Sequence, residues 1–114
     1  MKLAAIVEQL GLRVLTARDN LDADVSGGYA SDLLSDVIAN SQEKNLWITL
    51  QTHQNTIAVA KLKDLAGIII VSNREPDEQT KKKAEEEKVP LLLTSETSFM
   101  IAGKLFQLLE KTEG

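Results

Sequence analysis

The stretch Ala66-Gly-Ile-Ile-Ile-Val-Ser-Asn-Arg-Glu-Pro76 constrains the fold more than any other part of the chain. Ile68 to Val71 is a continuous apolar run that stops at Ser72, Asn73 and Arg74. A short run that is apolar on both faces fits a strand covered from both sides, as in a parallel α/β sheet. Pro76 then opens a charged, helical segment, and Pro90-Leu-Leu-Leu-Thr94 follows as the next apolar run. The unit is therefore strand–helix–strand.

The same alternation extends in both directions. Leu3, Ile6, Val7 and Leu10 sit at helical spacing, with Gly11 placed to end that helix. Leu12 to Thr16 reads as a first strand. Val25 to Tyr29 reads as a second, broken by Gly27-Gly28 and suited to a sheet edge. Ser31 is placed as an N-cap with Asp32 in the first turn, and Leu33, Leu34, Val37 and Ile38 as the buried face of the next helix. Leu46 to Leu50 is a strand by its β-branched and aromatic content. Ile57 to Leu65 is a short apolar helix ending at Gly67. The charged helix, 77–88, offers a ladder of pairs: Asp77–Lys81, Glu78–Lys82, Lys81–Glu85 and Lys82–Glu86. Each such pair is worth only ~0.2–0.5 kcal/mol. Its one apolar residue, Ala84, marks it as an outer, wet helix. A last helix, 97–111, carries a broad apolar face. The pattern predicts a single α/β domain over residues 1–114: a three-layer α/β/α sandwich with a mostly parallel sheet of about five strands.

Composition narrows the chemistry. The chain has no cysteine, which excludes disulfides and thiol catalysis and suits a reducing, cytoplasmic setting. No run approaches the ~18 apolar residues of a membrane span. A net charge of −4 without a basic stripe speaks against nucleic acid as partner. His53 is the sole histidine and has no ligand-spaced partners, so no metal and no cofactor is expected. Neither G-x-G-x-x-G nor G-x-x-x-x-G-K-[ST] occurs. Gly27-Gly28 precedes a helix, where it could cradle a phosphate, but a tight turn or an edge bulge explains it more simply.

In open α/β sheets ligands bind beyond the carboxyl ends of the strands. Three polar loops leave from such ends: Thr52-His53-Gln54-Asn55, Ser72-Asn73-Arg74-Glu75 and Thr94-Ser95-Glu96-Thr97. Two readings fit them. They are helix caps, or they form a site for a small anion, with Arg74 as the cation and Thr52, His53, Gln54, Asn55, Ser72, Asn73, Thr94 and Ser95 as neutral donors. No nucleophile–base pair stands out, so no catalytic residue is assigned. The competing reading is a small enzyme acting on a phosphorylated or nucleotide substrate, using His53 with Asp32 or Arg74. The surplus apolar surface of the last helix, with Phe99 and Phe106, predicts a homodimer. Gly27, Gly28, Tyr29 and Leu33 near the glycine edge are expected to join that interface.

Five segments carry a family resemblance, three of them in the carboxyl half of the chain. Those three are Gly67-Ile-Ile-Ile-Val-Ser-Asn-Arg-Glu-Pro-Asp77, Ala84-Glu-Glu-Glu-Lys-Val-Pro-Leu-Leu-Leu-Thr94 and Thr97-Ser-Phe-Met-Ile-Ala-Gly103. Together they resemble the carboxyl half of the DRTGG domain. Gly27-Gly-Tyr-Ala-Ser-Asp-Leu-Leu-Ser-Asp-Val-Ile-Ala39 and Trp47-Ile-Thr-Leu-Gln-Thr-His-Gln-Asn55 resemble its stand-alone members. The letters D-R-T-G-G are absent, and Ser72-Asn73-Arg74 stands where the family often has Thr-Gly-Gly. That family is similar to the amino-terminal domain of HPr kinase, and such domains also occur between the CBS domains of certain pyrophosphatases and in some phosphotransacetylases. What the resemblance implies is an α/β/α module that regulates, dimerises or docks a partner protein, rather than a catalyst. Kinase chemistry belongs to a separate P-loop domain.

Overall fold

The computed structural model describes residues 1–113, with side chains through Lys111. The elements run α1 (Leu3–Leu10), β1 (Arg13–Val14), β2 (Gly27–Ala30), α2 (Leu34–Asn40), β3 (Asn45–Thr49), α3 (Asn55–Leu62), β4 (Gly67–Ile70), α4 (Glu78–Glu87), β5 (Leu91–Leu93) and α5 (Ser98–Glu113). One sheet of five strands has the order β1-β5-β4-β3-β2. Strands β2, β3, β4 and β5 are parallel, and β1 joins β5 antiparallel.

The apolar runs are continuous because successive side chains enter opposite layers. Leu46, Ile48, Ile69 and Leu92 point into one core with Leu3, Ile6, Ile101 and Leu105 of α1 and α5. Trp47, Ile68, Ile70, Leu91 and Leu93 point into the other, with Val37, Ile57, Val59 and Ala84 of α2, α3 and α4. A three-layer α/β/α sandwich results. No helix among the described residues is long and apolar enough to cross a membrane.

Gly11 ends α1 in the left-handed region at φ 64°, its N–H turned back on the last turn. The glycine edge differs from expectation. Gly27 and Gly28 form neither turn nor bulge; they pair in register with Asn45 and Leu46. A Cβ on Gly28 would stand 2.9 Å from Leu105 Cδ2, so the missing side chain lets α5 sit close on the edge strand.

Helix α2 also starts later than its sequence suggests. Its cap position is Leu33, without a side-chain cap, and Ser31 Oγ accepts only from the Leu33 N–H. Asp32 is not in the helix at all. Its Oδ1 accepts from the Thr49 hydroxyl at 2.9 Å and the Leu50 N–H at 2.7 Å, tying the β2–α2 loop to the end of β3. Leu33 falls outside the helix and is exposed; within it Val37 is buried and Leu34 half-buried, while Ile38 is exposed. Helix α3 stops at Leu62, and Leu65 and Ala66 are buried in the approach to β4. On α4 the ion pairs are Lys81 with Glu78 and Glu75, and Lys83 with Glu87, in place of the predicted ladder. Exposed pairs contribute little each, so a reachable neighbour outside the helix competes well.

The first strand is short because a side chain takes over from the ladder. Thr16 Oγ1 accepts from the Leu91 N–H at 3.0 Å and donates to the Val89 carbonyl at 2.8 Å.

Candidate functional site

The loops after β3, β4 and β5 all leave the carboxyl edge of the sheet, and hydrogen bonds stitch them into one rim. Ser72 N–H donates to the Glu96 carbonyl and Asn73 N–H to the Thr94 carbonyl, each at 2.8 Å. This joins the loop after β4 to the loop after β5. Thr80 Oγ1 donates to the Thr52 carbonyl at 2.8 Å, with Asp77 N–H at 3.5 Å from the same oxygen. The loop after β3 is thereby held to the start of α4.

Ser72 and Asn73 both adopt left-handed backbone, at φ 57° and 55°. Two adjacent non-glycine residues in that region are unusual and are held there by the bonds to the neighbouring loop. Glycine tolerates this conformation freely. The turn therefore keeps a shape suited to a Gly-containing loop while presenting two polar side chains to solvent. Its N–H groups are spent within the rim, so any ligand must be met mainly by side chains.

The predicted residues divide by role. His53 Nδ1 accepts from the Asn55 N–H at 3.1 Å, and its carbonyl accepts from Thr56 N–H and Oγ1, so His53 closes the first turn of α3. Gln54 and Asn55 are exposed where α3 begins. Thr94 is buried, its hydroxyl accepting from the Glu96 N–H at 3.2 Å, while Ser95 beside it is exposed. Arg74 is exposed, and its guanidinium forms no ion pair or hydrogen bond among the described residues. Its acidic neighbour Glu75 is taken by Arg13 at 3.3 Å and Lys81 at 3.4 Å. Among the described residues the side chains of Ser72, Asn73, Arg74 and Ser95 have no partner, nor do the Thr52 hydroxyl and the Gln54 and Asn55 amides, so these are the rim groups free to receive a ligand.

His53, Asp32 and Arg74 share no hydrogen bond or ion pair among the described residues, and the carboxylate of Asp32 is held by β3. No group of three or more His, Cys, Asp or Glu that could hold a metal occurs among them.

The six residues expected at a dimer interface do not form one patch. Gly27, Gly28 and Phe106 line a groove of about 620 Å³ between β2 and α5, with Ala30, Ile48 and Leu109. Phe99 lies further back along α5. Tyr29 turns to the opposite face of the sheet, where Leu33 also lies before α2. The groove itself escapes sequence reasoning; the glycine pair beneath Leu105 is the one signal that could have found it.

Tyr29 Oη donates to Asp36 Oδ1 at 2.8 Å, and Asn40 Nδ2 donates to the same oxygen at 2.8 Å. The bonds from Asn40, then Tyr29 and Ser31, hold the Asp36 carboxyl below its ordinary range. The bond to Asp36 and partial desolvation push the Tyr29 hydroxyl up. Asp36 therefore contributes stability that is present above its unfolded pKa and is lost as pH falls through its lower, folded value. Tyr29 contributes stability that is present below its unfolded pKa and is lost as pH rises through its higher, folded value. Urea melts at stepped pH are expected to show wild type more stable than Asp36→Asn near neutrality. That gap closes in acid, and a gap that widened in acid would contradict the assignment.

A DRTGG-domain family model matches residues 5–108. Among solved structures, the fold is shared with the CBS and DRTGG domains of the regulatory region of Clostridium perfringens pyrophosphatase, solved with its activator diadenosine tetraphosphate. The two are 14% identical with a TM-score of 0.65, and the match covers 90% of this chain and 44% of that one. This chain therefore spans under half of that structure. No curated protein sequence matches the chain significantly. With a family model matched over residues 5–108 and the fold in agreement, the chain belongs to the DRTGG domain family.

Proposed function

We propose that this chain is a non-catalytic regulatory domain that senses a small anion at the carboxyl rim of its sheet and works as a pair of copies. The observation that carries the sensing role is Arg74. It is a guanidinium without a partner among the described residues, on a loop held by two bonds to its neighbour. An arginine in that state is suited to bidentate contact with a phosphate or carboxylate. Ser72 and Asn73 present neutral hydrogen-bonding side chains next to it. Among the described residues His53 bonds to the first turn of α3 and to no nucleophile, which favours this reading over the small enzyme. A regulatory role also agrees with the solved neighbour, a regulatory region bound to a polyphosphate activator.

A thermal-shift screen of inorganic phosphate, nucleotides and organic acids tests the proposal. A ligand at a hundredfold its Kd adds about 2.7 kcal/mol of stability, so the melting temperature should rise by about 10 °C or more. Arg74→Ala should abolish the shift while leaving the unliganded melting temperature within a few degrees. A hit whose shift survives Arg74→Ala would place the site elsewhere. A nucleotide or phosphoester turned over in a His53-dependent way would revive the enzyme.

A further inference from the structure

We propose that the two copies pair through the outward face of α5, with the helices crossing at Gly103. This rests on the pairing part of the reading above. Helix α5 buries Ile101 and Leu105 against the sheet. Its other side leaves Phe99 84%, Met100 47% and Phe106 66% exposed. Phe99, Gly103 and Phe106 follow at spacings of four and three, which places them on one stripe.

Gly103 is the residue the isolated chain does not explain. It lies inside a helix, where glycine is a poor choice beside alanine. Gly28 and Gly67 have reasons within the chain, since a Cβ would press on Leu105 at 2.9 Å and on the Pro90 carbonyl at 3.1 Å. At Gly103 a Cβ would meet nothing within 4 Å, and φ is not positive there. Neither packing nor backbone conformation calls for glycine. A close helix crossing does, because the absent side chain lets a second backbone approach.

The surroundings fit a second copy. A notch of about 480 Å³ over Gly103 is lined by Phe99, Met100, Ala102, Lys104 and Gln107. An antiparallel crossing about a two-fold axis would bring each Phe106 to the partner's Met100 side of that notch, using one patch twice. Phe99, Met100 and Phe106 together expose on the order of 400 Å² per copy, taking ~200 Å² for each side chain. That is about half of the ~800 Å² each partner gives to a standard interface, before the adjoining groove is counted. The charge pattern agrees. Lys104 is already paired with Glu96, Gln107 is neutral, and Glu110 and Lys111 lie toward the end of the helix, as an apolar centre with a charged rim requires.

Sedimentation equilibrium at one to a hundred micromolar, on wild type, Gly103→Leu, Phe106→Ser and Leu33→Ser, tests the crossing. Leu33 is exposed but off α5, and so serves as the control. Expected are a wild-type dimer, an unchanged Leu33→Ser, and a dissociation constant raised at least ~tenfold in Gly103→Leu and Phe106→Ser. Because the space at Gly103 is open in one copy, Gly103→Leu should keep its helix content and melt no lower when monomeric. A dimer that tolerates Gly103→Leu but is broken by Leu33→Ser would overturn the crossing and leave pairing intact. A monomeric wild type would overturn both pairing and crossing. A native mass spectrum in which a different protein occupies α5 would also overturn the crossing.

Discussion

Replacing Trp47 with alanine is expected to cost about 3–5 kcal/mol of stability. Trp47 is fully buried at the centre of β3, flanked by β2 and β4 and facing Val37 and Ile57. Its Nε1–H donates to the Ser31 carbonyl at 2.7 Å, which fixes the loop between β2 and α2. Alanine there would open a large cavity and leave that carbonyl unpaired. Since a domain of this kind holds about 5–15 kcal/mol in total, the variant should be partly unfolded at moderate temperature. Trp47→Phe keeps most of the volume and loses the hydrogen bond, so about 1–3 kcal/mol is expected. Urea melts followed by far-ultraviolet circular dichroism measure both, since the only tryptophan is removed. An alanine variant costing under ~1 kcal/mol would contradict the packing described for this layer.

The second large effect concerns Thr16. Its hydroxyl bridges the Leu91 N–H and the Val89 carbonyl where β5 begins, and the residue is buried. Thr16→Val preserves shape but strips both backbone groups of their partner, at ~1–3 kcal/mol each. A loss of about 2–6 kcal/mol is therefore expected. Thr16→Ser keeps the hydroxyl and loses one methyl group, so about 1 kcal/mol is expected. Equal losses in the two variants would show that the methyl packing matters and the hydroxyl does not.

These two residues mark the boundary of what could be read from the sequence. Trp47 and its neighbours were legible as a strand because a doubly buried strand must be apolar at every position. The same holds for Ile68–Val71 and Leu91–Leu93. The order of elements followed from the helices between the runs, and Gly11 announced its helix end. Thr16 was not legible, since its partners are more than seventy positions away in sequence. Asp32 shows the same limit. Next to Ser31 it looks like a helix-start residue, but two donors at the end of β3 outcompete the helix for its carboxylate. Helix α2 then begins later, which leaves Leu33 outside it and exposed.

The candidate site was legible in outline because ligand sites in such sheets lie at strand carboxyl ends. Three polar loops at three strand ends were enough to nominate it. What sequence could not supply was the division of labour within it. The Thr52 carbonyl, His53 and the Thr94 hydroxyl hold the rim together, and Arg74 has no side-chain partner among the described residues while Glu75 is claimed by Arg13 and Lys81. The glycine at 103 was equally silent, since its oddity appears only when the space around it is known.

The central claim is that an anion is recognised at the rim around Arg74. The most direct test follows backbone amide resonances of the isotope-labelled protein during titration with inorganic phosphate and with ATP. Saturable shifts confined to Ser72–Arg74, Thr94–Ser95 and the first turn of α4, lost in Arg74→Ala, are the predicted result. Saturable shifts that fall instead along β2 and α5, or that persist in Arg74→Ala, would contradict it.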